Sequence, residues 1–217
     1  MPESKATNNR LHIDSRIAGQ GNAAERWGRT GDGLGPAFVR HPVDVFDIRG
    51  ARLQDDAALC QVDAATWTAV VSPAPAPPLG TAFFSERTRP DDVLVAVRQN
   101  VVIGYVKLGQ PIGLTSHEHV LEVSGLAVDP ARQRDGAGRR LIAAAVEEAR
   151  SRGARKLTLR VLAHNTGARR LYEVCGFVVE GVLRAEFLLD GFYVDDILMA
   201  RYLVPQPEAA SRRPNVQ

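Results

Sequence analysis

The sequence predicts an α/β domain with helices packed on a mixed sheet. Three observations carry that prediction. After residue 43, short β-branched runs alternate with helical periods in the order β-α-loop-β-β-β-α-β-α-β-β. Two pairs of neighbouring runs meet at turn-forming dipeptides, Gln99-Asn100 and Asp190-Gly191. One run passes through a glycine-containing turn into an amphipathic stretch, "LAVDPARQRDGAGRRLIAAAVEEAR".

The elements follow in chain order. Residues 1–43 are polar and Gly-rich, carry both charge signs and show neither period. Such a segment buries too little apolar surface to offset its ordering entropy, so a flexible tail is expected. Residues 205–217, "PQPEAASRRPNVQ", read the same way and leave one domain over 44–204. Val45, Phe46 and Ile48 predict the first strand. Asp55 and Asp56 are N-cap candidates for a helix running to Ala65. "VSPAPAPPLG" over 71–80 is an extended proline-rich loop, either a lid or an exposed connector. "DVLVAVRQNVVIGYVKLG" predicts a hairpin, and "EHVLEVSGLAVDP" a strand stopped by Asp129-Pro130. Leu141, Ile142, Ala145, Val146 and Ala149 share one face of the next helix, with Gly153 as its C-cap. "RKLTLRVL" predicts a strand, "NTGARRLYEVCG" a short helix, and "FVVEGVLRAEFLLDGFYVDDILMARYL" the last hairpin.

Composition narrows the function classes. The 217 residues are enough for a core that needs no staple. Two cysteines, Cys60 and Cys175, are too few for a disulfide framework and suit a reducing, cytoplasmic setting. No apolar run is long enough to span a bilayer, and "MPESKATNNR" lacks a signal-peptide core. A net charge of +2 gives no global pull toward nucleic acid, and Arg212 with Arg213 is too small a basic patch. Neither a membrane nor a nucleic-acid partner is therefore expected.

The glycine turn raises the chemical question. The first N–H groups of a helix lack internal partners and together carry partial positive charge. Glycines let an anion approach them without a Cβ in the way. A nucleotide P-loop needs Gly-Lys-Ser/Thr, but Gly138 is followed by Arg139-Arg140. A dinucleotide fingerprint needs a third glycine, but position 141 is Leu. A coenzyme A pyrophosphate held by main chain remains, beside an ordinary loop with a weak helix start.

The surrounding residues resemble the GCN5-related N-acetyltransferase (GNAT) family. Its acyl-CoA motif, Gln/Arg-x-x-Gly-x-Gly/Ala, is met by Gln133, Gly136 and Gly138. Its later helix is matched by Asn165, Ala168, Leu171-Tyr172 and Gly176-Phe177. The resemblance covers about 45–204 and is strongest over 120–199. It implies a central, mixed, mostly antiparallel sheet of about six to seven strands flanked by helices, with splayed central strands binding acyl-CoA. It also implies acetyl transfer from acetyl-CoA to a primary amine, of a small molecule or a peptide N-terminus, by direct attack in a ternary complex.

Site residues carry over one by one. Leu126, Ala127 and Val128 would lie beside the thioester, where a fixed main-chain donor stabilises a developing oxyanion. Gln133 and the run Arg134, Asp135, Gly136, Ala137, Gly138 and Arg139 would form the pyrophosphate cradle. Asn165 is an N-cap candidate that would also touch the cofactor with Ala168. Tyr172 takes the position that protonates the departing thiolate, or else packs on the helix with its hydroxyl at the rim. Glu122 matches the catalytic glutamate of histone-acetylating members. Period-two counting puts it on the face of Leu126, as a base or as a strand carboxylate. Ribosomal-protein-acetylating members place a catalytic glutamate five residues before the Asn; here that residue is Arg160.

Other constellations are weaker. Trp67 is a candidate for an acceptor cleft, and Glu180, Arg184, Tyr193, Asp195 and Asp196 on the last hairpin either line that cleft or form cross-strand pairs. His117 and His119 of "HEH" share a strand face by alternation, but no third ligand is identifiable and no metal is expected. Direct transfer needs no nucleophilic cysteine, and nothing marks Cys175 as one. The terminal hairpin could complete a sheet in a homodimer. A non-catalytic acyl-CoA sensor or interaction module is the rival reading, since the acceptor side carries little motif.

Overall fold

The computed structural model describes residues 46–78, 80–132 and 135–204. The tails expected over 1–43 and 205–217 lie outside the described residues, as do Gln133 and Arg134.

Ten elements follow the predicted order. They are β1 (Asp47–Gly50), α1 (Asp56–Thr66), β2 (Val93–Arg98), β3 (Val101–Gly109), β4 (Val120–Val128), α2 (Ala137–Ser151), β5 (Lys156–Leu162), α3 (Thr166–Val174), β6 (Val178–Leu189) and β7 (Phe192–Tyr202). The seven strands form one sheet in the order β1-β2-β3-β4-β5-β7-β6. Every neighbouring pair is antiparallel except β4 and β5.

Both predicted hairpins rest on turn chemistry. Gln99 and Asn100 have φ of 48° and 64°, and Asp190 and Gly191 have φ of 49° and 84°. Two successive positive φ values give a turn whose twist matches the flanking strands. The first helix starts where expected but lacks a side-chain cap. Asp55 stands at the N-cap position but turns its carboxylate back, to Arg49 at 2.7 and 2.9 Å and to the Arg52 N–H at 2.7 Å. Asp56 accepts from the Phe84 N–H at 2.9 Å, so it ties the long connection after α1 instead of capping.

Two apolar layers cover the sheet. On one face, Leu141, Ile142, Ala145, Val146 and Ala149 of α2 join Leu171 and Tyr172 of α3 over Leu121, Val123, Leu126 and Val128 of β4. Leu141 and Ile142 are fully buried, each stabilising the fold by roughly 2–3 kcal/mol. On the other face, Leu59 and Val62 of α1 pack with Phe83, Val93, Val95, Tyr105 and Ala127. Between these layers β3 and β4 approach closely. A Cβ on Gly104 would meet the Ala127 carbonyl oxygen at 2.7 Å, so the position needs glycine.

Candidate active site

β4 and β5 pair only through Val120–Lys156, Leu121–Leu157 and Glu122–Thr158. Beyond that point β4 stays with β3 while β5 continues with β7. Two parallel strands that part leave main-chain groups facing a gap, which a compact core rarely tolerates without a ligand. The Asp129 N–H donates to the Ile103 carbonyl at 2.9 Å. By alternation Ala127 also addresses β3, while the main-chain groups of Leu126 and Val128 point to the gap.

α2 follows β4 through the connection 129–136, which includes a 3-10 turn at Pro130–Arg132. Gly136 is its N-cap with φ of 80°, a left-handed conformation that costs glycine little. A Cβ built there meets nothing within 4 Å, so the main chain is open to an incoming group that a side chain would obstruct. The Asp135 side chain is engaged elsewhere. Its carboxylate pairs with Arg98 of β2 at 2.7 Å. Arg139 and Arg140 are exposed, and the Arg140 guanidinium stacks on Phe46 at 4.1 Å from the ring centroid. Ala137 and Gly138 are buried in the first turn of α2.

α3 follows β5, the other strand of the parting pair, and packs in the same layer as α2. The Asn165 side chain accepts from the Ala168 N–H at 3.1 Å, so it caps the helix as its position predicts. Tyr172 is fully buried, with its ring 5.6 Å from that of Phe177. The Phe177 N–H closes the turn on the Tyr172 carbonyl at 3.0 Å. The Tyr172 hydroxyl is not at a rim: it is buried and has no hydrogen-bond partner among the described residues. Burial, with a smaller contribution from Cys175, pushes its pKa well above the usual tyrosine value, so the proton stays on oxygen. A buried hydroxyl without a partner fits a ligand atom absent from the protein itself.

Glu122 is buried, at 5% exposure, but not on the face of Leu126. The β3–β4 register slips between Lys107 and Leu108, which leaves Ser124 as an extra residue in β4. Leu126 pairs with Val106 and Val123 with Leu108, whereas Glu122 pairs with Gly109 and Gly125 with Lys107. The bulge therefore reverses the alternation and turns Glu122 to the α1 face, with Ala127. Arg160 of β5 occupies that same sheet face and binds Asp196 of β7 at 2.5 Å.

Most of the residues offered for an acceptor cleft have partners within the fold, and only Arg184 and Asp195 pair with each other. Glu180 accepts from Lys156 and from the Tyr202 hydroxyl, each at 2.6 Å. Arg184 pairs with Asp195 at 2.6 Å, and Tyr193 is 74% exposed. The Trp67 indole N–H donates to the Ala74 carbonyl at 3.1 Å and so fixes the start of the proline-rich loop. His117 ends a 3-10 turn and His119 precedes β4, so strand alternation does not relate them. No group of three metal-ligating side chains occurs among the described residues. Sequence reasoning missed Arg98 and the buried pair of Asp63 and Tyr105, whose oxygens lie 2.5 Å apart beneath α1. No local pattern marks either, because the partners lie 37 and 42 positions apart.

Comparison with known proteins agrees with this geometry. The model of the acetyltransferase (GNAT) family matches residues 57–177. The uncharacterised N-acetyltransferase YhfO of Bacillus subtilis is 35% identical over 85 residues, 39% of this chain and 57% of that protein. The L-amino acid N-acyltransferase MnaT of Escherichia coli is 32% identical over 99 residues, 45% of this chain and 57% of that protein. The chain thus spans little more than half the length of these curated relatives. The structure of yncA from Salmonella typhimurium, a putative acetyltransferase with its cofactor acetyl-CoA, aligns with a TM-score of 0.62 at 25% identity. That alignment covers 76% of this chain and 99% of that one. With more than half of its residues matched by the family's model, the chain belongs to the acetyltransferase (GNAT) family.

Proposed function

We propose that this protein transfers an acetyl group from acetyl-CoA to a primary amine, carried by a small molecule or a peptide N-terminus. The observation that carries the reading is the parting of β4 from β5 after Glu122 and Thr158. The open Gly136 main chain before α2 and the buried, unpartnered Tyr172 hydroxyl on α3 fit the donor. MnaT, by its name, acylates L-amino acids, which supports an amine acceptor here.

Acetyl-CoA supplies an activated thioester, and the protein's residues supply the rest. The first amides of α2, from Gly136 to Arg139, hold the pyrophosphate, and Gln133, Arg134 and Asp135 belong to the same proposed cradle. Asn165 and Ala168 sit beside the donor at the start of α3. The Leu126 and Val128 main chain orients the donor, and the Leu126 N–H is the fixed donor for charge developing on the carbonyl oxygen. The amine approaches from the α1 face, because α2 and α3 cover the other. Glu122 lies on that face and takes the amine's proton before attack. Tyr172 gives its proton to the sulfur as the thiol leaves.

The order of attack follows from the absence of any need for a covalent enzyme intermediate. Both cysteines are free thiols, and burial raises the pKa of Cys60 and Cys175 alike, which disfavours a thiolate. No described helix is long and apolar enough to cross a membrane. A bacterial cytoplasm and a homodimer through the edge strand β6 belong to the same proposal, and light scattering on the purified chain tests the dimer.

Calorimetric titration with acetyl-CoA, followed by thiol release in the presence of an amine panel, tests the function. Micromolar binding that is lost in Gly136→Glu, together with amine-dependent thiol release, is the expected outcome. Binding without thiol release would instead identify a non-catalytic acyl-CoA sensor, and no binding would end the proposal.

A further inference from the structure

Asp195 and Asp196 are adjacent on β7 and do opposite work. Asp195 accepts from the Ala185 N–H at 2.8 Å and from Arg184 at 2.6 Å. These bonds pin a bulge in β6 between Leu183 and Phe187, where Ala185 has φ of 51°. The bulge brings Glu186 within 3.2 Å of Arg160. Asp196 points to the other side of the sheet, the α1 face, since Ile197 and Met199, two positions apart on β7, both pack in the α2–α3 layer and Asp196 alternates with them.

Asp196 is fully buried, and its Oδ2 accepts from Arg160 Nε at 2.5 Å. Its Oδ1 is also buried and has no hydrogen-bond partner among the described residues. Burial pushes the Asp196 pKa up, against the pull of Arg160 and a smaller one from the Ile197 amide. A carboxylate oxygen buried without a donor costs stability and calls for an explanation.

Position supplies one. Asp196 pairs with Leu162 at the end of β5, the strand that borders the gap. It faces the side from which an acceptor must approach, opposite α2 and Tyr172. Arg160, the nearest cation, is already shared by Asp196 and Glu186, so one negative charge is left over in the cluster. The net negative charge of that cluster attracts an ammonium group and repels a carboxylate next to it.

We propose that Asp196 Oδ1 anchors the ammonium group of the acceptor, that Arg160 positions it, and that the acceptor carries no carboxylate on the carbon beside its amino group. This rests on the acetyl-transfer reading and deepens it by naming an amine-binding residue and a substrate class.

The test uses the full chain, with L-alaninamide and L-alanine as probes that differ only in the carboxylate. Acetyl-CoA titration of wild type and Asp196→Asn comes first. Acetylation kinetics and melting temperature follow. The expected result is unchanged acetyl-CoA binding in D196N, with KM for L-alaninamide raised roughly 30-fold or more, as for a truncated buried charge pair. Wild type should favour L-alaninamide over L-alanine by at least about tenfold in kcat/KM. An amine KM within twofold of wild type in D196N overturns the anchor, even if the melting temperature falls, because Asp196 is then only structural. Equal use of the two probes by wild type also overturns it, and decides the matter if D196N does not fold. Failure of wild type to bind acetyl-CoA would instead remove the acetyl-transfer reading, and the anchor with it.

Discussion

Arg98 at the end of β2 holds Asp135 of the turn before α2 at 2.7 Å, across 37 positions of sequence. The Arg98 side chain is only 5% exposed, so the pair is anchored from inside the fold. An acid in a turn proposed to receive a pyrophosphate needs its charge offset, and Arg98 does this while fixing the turn. Arg98→Gln is expected to weaken acetyl-CoA binding about tenfold, with Asp135→Asn losing less because it also removes a repulsive charge. Isothermal titration of the two variants checks the order, and equal affinities for wild type and R98Q would refute it.

Tyr172→Phe separates chemistry from stability. If the hydroxyl protonates the leaving thiol, turnover should drop about 10²-fold while acetyl-CoA affinity stays within a few-fold. Removing a buried hydroxyl with no partner should leave the melting temperature unchanged or slightly raised. Steady-state kinetics and calorimetry on the same preparation read both effects.

Glu122→Gln keeps the size of a buried side chain and removes its ability to take a proton. As the base for the amine it should lose about 10²–10³-fold in kcat/KM at neutral pH. The loss should shrink as pH rises and free amine becomes abundant. A pH series on the variant that runs parallel to wild type would remove Glu122 from the reaction.

Gly104→Ala tests the close approach of β3 to β4. Its Cβ would stand 2.7 Å from the Ala127 carbonyl oxygen, which is main chain and cannot swing aside. A loss of about 1–3 kcal/mol in denaturant unfolding is expected. Activity should fall too, because the strand that shifts also carries Leu126 and Val128.

Asp55 predicts an acid limb in stability. Hydrogen bonds from Arg49, opposed by burial and helped by the Arg52 N–H, hold its pKa below the usual carboxylate value. A group depressed in the folded state stabilises above its unfolded pKa of about 3.9 and loses that contribution as pH falls through the folded value. Asp55→Asn should therefore cost roughly 1–2 kcal/mol at pH 7, and progressively less below pH 4. Urea midpoints measured across that range give the comparison.

Much of the framework was legible because its causes are local. The Gln99-Asn100 and Asp190-Gly191 turns have positive φ at both residues, and such dipeptides announce that need directly. The α2 stripe of Leu141, Ile142, Ala145, Val146 and Ala149 is buried as its period implies. Asn165 caps α3 through a bond only three residues long. α1 starts where Asp55 predicts, yet without the expected side-chain cap. Asp55 has the right residue type in the right place, but Arg49 competes for its carboxylate and wins.

The sequence by itself determined the order of elements, the two hairpins and the motif that marks an acyl-CoA family. Each depends on residues within a few positions of one another. Only the tertiary structure decided which face the chemistry uses. One extra residue at Ser124 reverses the side-chain alternation, so counting by twos from Leu126 put Glu122 on the wrong side of β4. Only folding brought Arg98 to Asp135 and Arg160 to Asp196. Pairs so distant leave no trace in local pattern, because strand register and bulges, not spacing, set which side chains meet.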